Sequence, residues 1–75
     1  MSSYEHRAKR ADANNDHGEA LRLRCLAAGR KDLAERVAKI NADHERAGHL
    51  TPELGYRRDA VAVALDVYKR TQELK

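Results

Sequence analysis

Seventy-five residues, 8.5 kDa and a net charge of +3 allow one small domain spanning 1–75 and leave no room for two independently folded units. Thirteen alanines, ten arginines, three tyrosines, one proline and no phenylalanine or tryptophan describe a helical chain with a thin core, because Leu, Ile and Val together number only thirteen. The single cysteine, Cys25, excludes an internal disulfide and a cross-linked secreted scaffold, so a cytoplasmic setting is expected, and the longest apolar run, Ala60 to Leu65, is too short for a signal-peptide core or a membrane span.

Helix starts recur along the chain. Ser2 with Glu5, Asp16 with Glu19 and Asp32 with Glu35 each have capping-box spacing, in which the first side chain accepts from the N3 amide and the acid reaches back. Thr51, Pro52 and Glu53 supply an N-cap, a first residue with preset φ, and an acid at the positive end of the helix dipole. Stops answer the starts at Asn14 to Asp16, at Gly29, and at Ala47 with Gly48. Helices are therefore predicted over 3–14, 17–29, 32–47 and 52–73. Arg30 and Lys31 are good helix formers, so the second and third helices are equally readable as one rod interrupted at Gly29. Acid-before-base pairs four residues apart, Glu5 with Lys9, Asp32 with Arg36, Glu35 with Lys39, Glu53 with Arg57 and Asp66 with Arg70, each add about 0.2 to 0.5 kcal/mol.

The apolar faces differ from helix to helix. The first carries only Tyr4, Ala8, Ala11 and Ala13, so residues 1–15 are readable either as an ordered helix or as a mobile N-terminal arm that folds on binding. The third has a narrow stripe of Leu33, Val37, Ile40 and Ala47, with His44 filling the remaining step, which suits one packed neighbour. The fourth is broader: Leu54, Val61, Ala64, Leu65 and Tyr68 line one side, while Ala60, Val63 and Val67 carry the apolar arc past what one neighbour covers. A strand is the rival reading of Ala60 to Leu65, given its valines. The alanines at 60, 62 and 64, the strong cap before them and the lack of a second strand-like segment outweigh it.

Asp16 to Leu21, with Ala8 before and Ala27 after, resembles the turn of a tetratricopeptide helix pair, whose small or aromatic positions fall on Tyr4, Ala8, Ala20 and Ala27. Arg7, Ala11, Arg24 and Asp32 depart from that family's pattern, and a shift by one repeat lands on Ala38, Asn41, Glu45 and Leu54, with no second copy. The resemblance covers less than half of the chain. It implies that the first two helices form an antiparallel hairpin.

Chemistry is sparse. His6, His17, Cys25, His44 and His49 lack the spacing of a metal site, and His44 and His49 miss the i, i+4 step that puts two imidazoles on one helix face. Cys25 inside a helix reads as a small buried hydrophobe, with no base or oxyanion site beside it in the sequence. Gly18, Gly29, Gly48 and Gly55 are isolated and build no phosphate-cradling loop. No catalytic residue, cofactor or metal is expected.

Charge is uneven. Residues 1–31 hold seven bases against four acids, and residues 32–75 hold eight of each. A hairpin of the first two helices would place Arg7 and Arg10 beside Arg22 or Arg24, where converging cations meet phosphates. A helix-turn-helix-like element over 33–58 would present Tyr56, Arg57 and Arg58 to a DNA groove. Against both stand the small net charge and the lack of Phe or Trp for base stacking.

The expected fold is all-α: a small antiparallel helical hairpin or bundle of three to four helices, completed by dimerisation. Residues 32–73 are its central hairpin, with Leu33, Val37, Ile40, Leu50, Leu54, Val61, Leu65 and Tyr68 in the core. The expected function is a non-enzymatic protein–protein interaction module, a homodimer acting as adaptor, regulator or inhibitor by occupying a partner surface. Ala60, Val63, Val67 and Tyr68 are its interface residues. A DNA-binding regulator, or non-specific nucleic-acid contact through the basic half, is the alternative.

Overall fold

A computed structural model describes residues 3–74, which form four helices and no strand. They are α1 (Ser3–Ala13), α2 (His17–Ala27), α3 (Lys31–Ala47) and α4 (Pro52–Glu73). The segment Ala60 to Leu65 is helical throughout. The cap expected at Ser2 lies outside the described residues.

Three left-handed residues separate the helices: Asn15 at φ 61°, Gly29 at φ 76° and Gly48 at φ 77°. Gly29 N–H donates to the Leu26 carbonyl (3.0 Å) and Arg30 N–H to the Cys25 carbonyl (2.9 Å), a Schellman closure that ends α2 and makes α2 and α3 separate helices. The same pattern closes α1, where Asn15 N–H reaches Asp12 O (2.9 Å) and Asp16 N–H reaches Ala11 O (2.8 Å). Asparagine tolerates this backbone because its short polar side chain adds little crowding.

Two of the expected caps form. The Asp16 carboxylate accepts from Glu19 N–H at 3.4 Å, and Thr51 Oγ1 accepts from Leu54 N–H at 3.2 Å with Pro52 in the first helical position. The third does not. Arg30 stands at the N-cap of α3 without a side-chain cap bond, and Asp32 lies inside the first turn, gripped by Arg30 Nε (2.9 Å) and Nη2 (2.7 Å). The closure at Gly29 starts the helix one residue early, which moves Asp32 off the cap and beside a guanidinium. The hydrogen bond from Arg30 lowers the Asp32 carboxyl to about 2.

Helix α2 packs against all three others, whereas α1 touches only α2. The result is elongated, 41 × 23 × 17 Å. Two apolar clusters follow from this order. Ala8, Ala20 and Leu23 join α1 to α2, and a larger group with Leu21, Cys25, Leu33, Val37, Ile40, Leu54, Val61 and Leu65 joins α2, α3 and α4. Two residues expected in that core are not in it. Leu50 sits in the turn between α3 and α4 and is 43 % exposed, because the turn holds it beyond the helix contact. Tyr68 is half-buried at the core edge, its ring covered by the Arg30 guanidinium at 4.7 Å.

Candidate protein-docking surface

Helix α4 carries two seams with alternating four- and three-residue spacing. Leu54, Arg58, Val61, Leu65 and Tyr68 form the inner one, with Leu54, Val61 and Leu65 buried and Arg58 and Tyr68 half-buried. Tyr56, Ala60, Val63, Val67, Arg70 and Leu74 form the other, and all six are exposed. At about 100° per residue, Val63 lies roughly 200° from Val61, so the second seam faces directly away from the core. Val63 is 61 % exposed, Val67 56 %, Tyr56 76 % and Leu74 89 %. This row of apolar side chains along one ridge differs from singly scattered exposed residues, because its period is that of a helix-pairing stripe.

The expected interface residues Ala60, Val63 and Val67 therefore share one open face. Tyr68 does not join them, since Arg30 of the same chain covers it. Tyr56 and Leu74 extend the face at both ends. The four-three spacing from Tyr56 to Leu74 is readable in the sequence.

Several of the basic residues have partners within the chain. Arg22 pairs with Glu19 through Nε and, at 3.2 Å, through Nη2, which raises the Arg22 guanidinium above its ordinary value. Arg24 crosses from α2 to Asp12 on α1. Arg7 lies over the Tyr4 ring at 5.9 Å, and Arg10 occupies the last turn of α1, where a cation complements the helix dipole. Of the three side chains expected to face a DNA groove, two have partners within the chain. Arg57 lies 3.6 Å from Asp43, and Arg58 turns inward, where one Nη2 donates to Asn41 Oδ1 (3.2 Å) and to His44 Nδ1 (3.2 Å). Only Tyr56 of that trio stands free in solvent.

Arginine has no acceptor, so the contact with Arg58 makes His44 Nδ1 the acceptor and puts the ring proton on Nε2. The cluster closes on Gly18, where a Cβ would lie 2.3 Å from Asn41 Oδ1 and 2.8 Å from Arg58 Nη2. Beside it an open groove of about 860 Å³ runs between the start of α2 and the end of α3. Its walls mix Arg22 and Arg58 with Asp16, Glu19 and Glu45, so it favours neither sign of charge.

The remaining titratable candidates are dispersed. His17 Nδ1 bonds Asp12 Oδ1 at 2.8 Å, and His49 Nδ1 bonds the Ala47 carbonyl at 3.1 Å. Cys25 is fully buried among apolar neighbours, and burial pushes its thiol up, which favours the unreactive protonated form. Among the described residues no helix is long and apolar enough to cross a membrane.

No protein-family model, curated protein or solved structure matches the chain.

Proposed function

We propose that this chain is a non-enzymatic protein–protein interaction module whose docking surface is the outer seam of α4, acting as an adaptor, regulator or inhibitor by covering a surface of its partner. One observation carries the reading. A helix already anchored by its inner seam presents a second, opposite seam of exposed side chains, Tyr56, Ala60, Val63, Val67 and Leu74, at the spacing that pairs helices.

The nucleic-acid reading has less support. Arg22, Arg24, Arg57 and Arg58 are each engaged within the chain, and base stacking is left to tyrosine alone.

The test is the double variant Val63→Glu/Val67→Glu. Both positions are more than half exposed, so the variant should keep the helical content of the wild type and its melting temperature at low concentration. It should lose every complex that the wild type forms, as measured by light scattering and by pull-down with each chain in parallel. A variant that retains all of those complexes would overturn the reading.

A further inference from the structure

We propose that the contact between His44 and Arg58 is a pH-operated latch between α3 and α4, closed while the imidazole is neutral and opened when it takes up a proton. The inference is independent of what the outer seam of α4 covers.

Three histidine rings form hydrogen bonds among the described residues, and one is wired differently from the other two. His17 Nδ1 faces the Asp12 carboxylate at 2.8 Å, and His49 Nδ1 faces the Ala47 carbonyl at 3.1 Å. An ionised carboxylate and a carbonyl only accept, so in both contacts the ring nitrogen is already the donor. A second proton on either ring leaves its bond in place. His44 Nδ1 faces an arginine at 3.2 Å, which only donates. A proton on that nitrogen removes the acceptor of the contact and sets an imidazolium against a guanidinium.

Arg58 has little else to hold it. Its bonds to Asn41 Oδ1 and His44 Nδ1 both leave from Nη2, both acceptors are neutral, and its Nε is buried without a hydrogen-bond partner. Arg22, Arg24, Arg30, Arg46, Arg57 and Arg70 each meet a carboxylate, whereas Arg58 meets none among the described residues. A half-buried guanidinium left with one neutral acceptor is better satisfied in water, so loss of the His44 bond releases it. The first two turns of α4 are freed with it, while Val61 and Leu65, both buried, hold the remainder.

The other charges around the ring act in the same direction or are already engaged. Asp16, His17, Glu19 and Arg22, from α2 and the turn before it, and Glu45 of α3 line the groove beside His44. Glu19 and Arg22 hold each other, His17 is held by Asp12, and Asp43 by Arg46 and Arg57. Asp16 and Glu45 remain as carboxylates on the open side of the groove, where they favour a protonated ring turned away from Arg58.

The test follows the ring and the start of α4 in the intact chain. At about pH 7.5, long-range proton–nitrogen spectra should show His44 with its proton on Nε2 and a bare Nδ1. Imidazoles titrate between about pH 7.5 and about pH 5.5, whereas carboxylates do not. Over that range amide exchange from Leu54 to Arg58, corrected for its intrinsic pH dependence, should speed up by about fivefold relative to α2, the equivalent of one hydrogen bond. His44→Asn puts an amide oxygen in the place of Nδ1, which accepts from Arg58 and does not titrate, so its α4 amides should stay protected at both pH values. His44→Ala should exchange at the faster rate at both. A wild type equally protected at the two pH values, a neutral ring with its proton on Nδ1, or an acid response that survives in His44→Asn would each overturn the latch.

Discussion

Helices α1 and α4 both flank the α2–α3 pair, and they are finished in opposite ways. Helix α1 contributes only the small residues Ala8 and Ala11 to its contact with Ala20, Leu23 and Leu26 of α2, so it buries little of its own area but comes close to the α2 backbone. A polar clip, Arg24 and His17 of α2 on Asp12 of α1, adds to that contact. Its far side is polar, with Glu5, His6, Lys9 and Arg10 exposed. Helix α4 is seated by large apolar residues and then repeats apolar residues on the side facing water. One end of the bundle is closed by charge, and the other is left open. In a chain with thirteen Leu, Ile and Val residues, placing two valines and a leucine outside the core withholds burial from a fold that needs it.

The sharpest way to break the comparison is to truncate the two faces of α4 at neighbouring positions. Leu65 is 4 % exposed and Val67 56 %. Leu65→Ala removes buried methylenes and leaves a cavity, with an expected loss of about 2 to 4 kcal/mol in denaturant melts. Val67→Ala should stay within about 0.5 kcal/mol at high dilution. Its effect should appear only as concentration rises and the outer seam is occupied. Equal losses at high dilution would mean that both faces are buried within a single chain.

These differences were legible in the sequence to unequal depth. The helix starts at Asp16 and Thr51 and the stop at Gly48 are local devices whose bonds lie within a few residues, and they form as their spacing implies. The break between α2 and α3 was ambiguous because Gly29 is tolerated inside a helix as well as at its end; the left-handed backbone there decides it. Asp32 has cap spacing, but it lost that place to a turn set three residues earlier. The inward turn of Arg58 was not legible. Its neighbours in sequence, Tyr56 and Arg57, are surface residues, and only the fold brings Asn41 and His44 within reach. Outer-face residues were legible because periodicity records them whether or not a partner is present.

A middle-sized effect tests whether α4 is held to the bundle by polar contacts as well as apolar ones. Gly18→Ala gains about 0.5 to 1 kcal/mol of helix propensity. Its Cβ, however, displaces the Asn41 carbonyl that receives the Arg58 proton, and loss of that bond costs about 1 kcal/mol. The two nearly cancel, so the single variant alone says little. The double-mutant cycle separates them: Gly18→Ala should be more favourable in an Asn41→Ala background by about 1 kcal/mol. A coupling near zero would mean that the Gly18, Asn41 and Arg58 contact contributes nothing to seating α4.

The smallest effect sharpens the other side of the comparison, the polar clip of α1. Hydrogen bonds from His17 and then Arg24 lower the Asp12 carboxyl below 3.8. A carboxyl depressed on folding contributes stability that is complete above its unfolded value, near 3.9, and is lost as pH falls through the folded value. The anchoring of α1 should therefore weaken below about pH 4, by less than about 1 kcal/mol because the pair is partly exposed and screened. Asp32, lowered to about 2 by Arg30, titrates over an overlapping range, so a global melt cannot separate the two. Amide exchange resolved by helix can. Acidification should release α1 amides while α3 amides stay protected, and Asp12→Asn should make α1 protection lower at neutral pH and flat with acid. Simultaneous release of α1 and α3, unchanged by Asp12→Asn, would show that the apolar contact alone holds α1 in place.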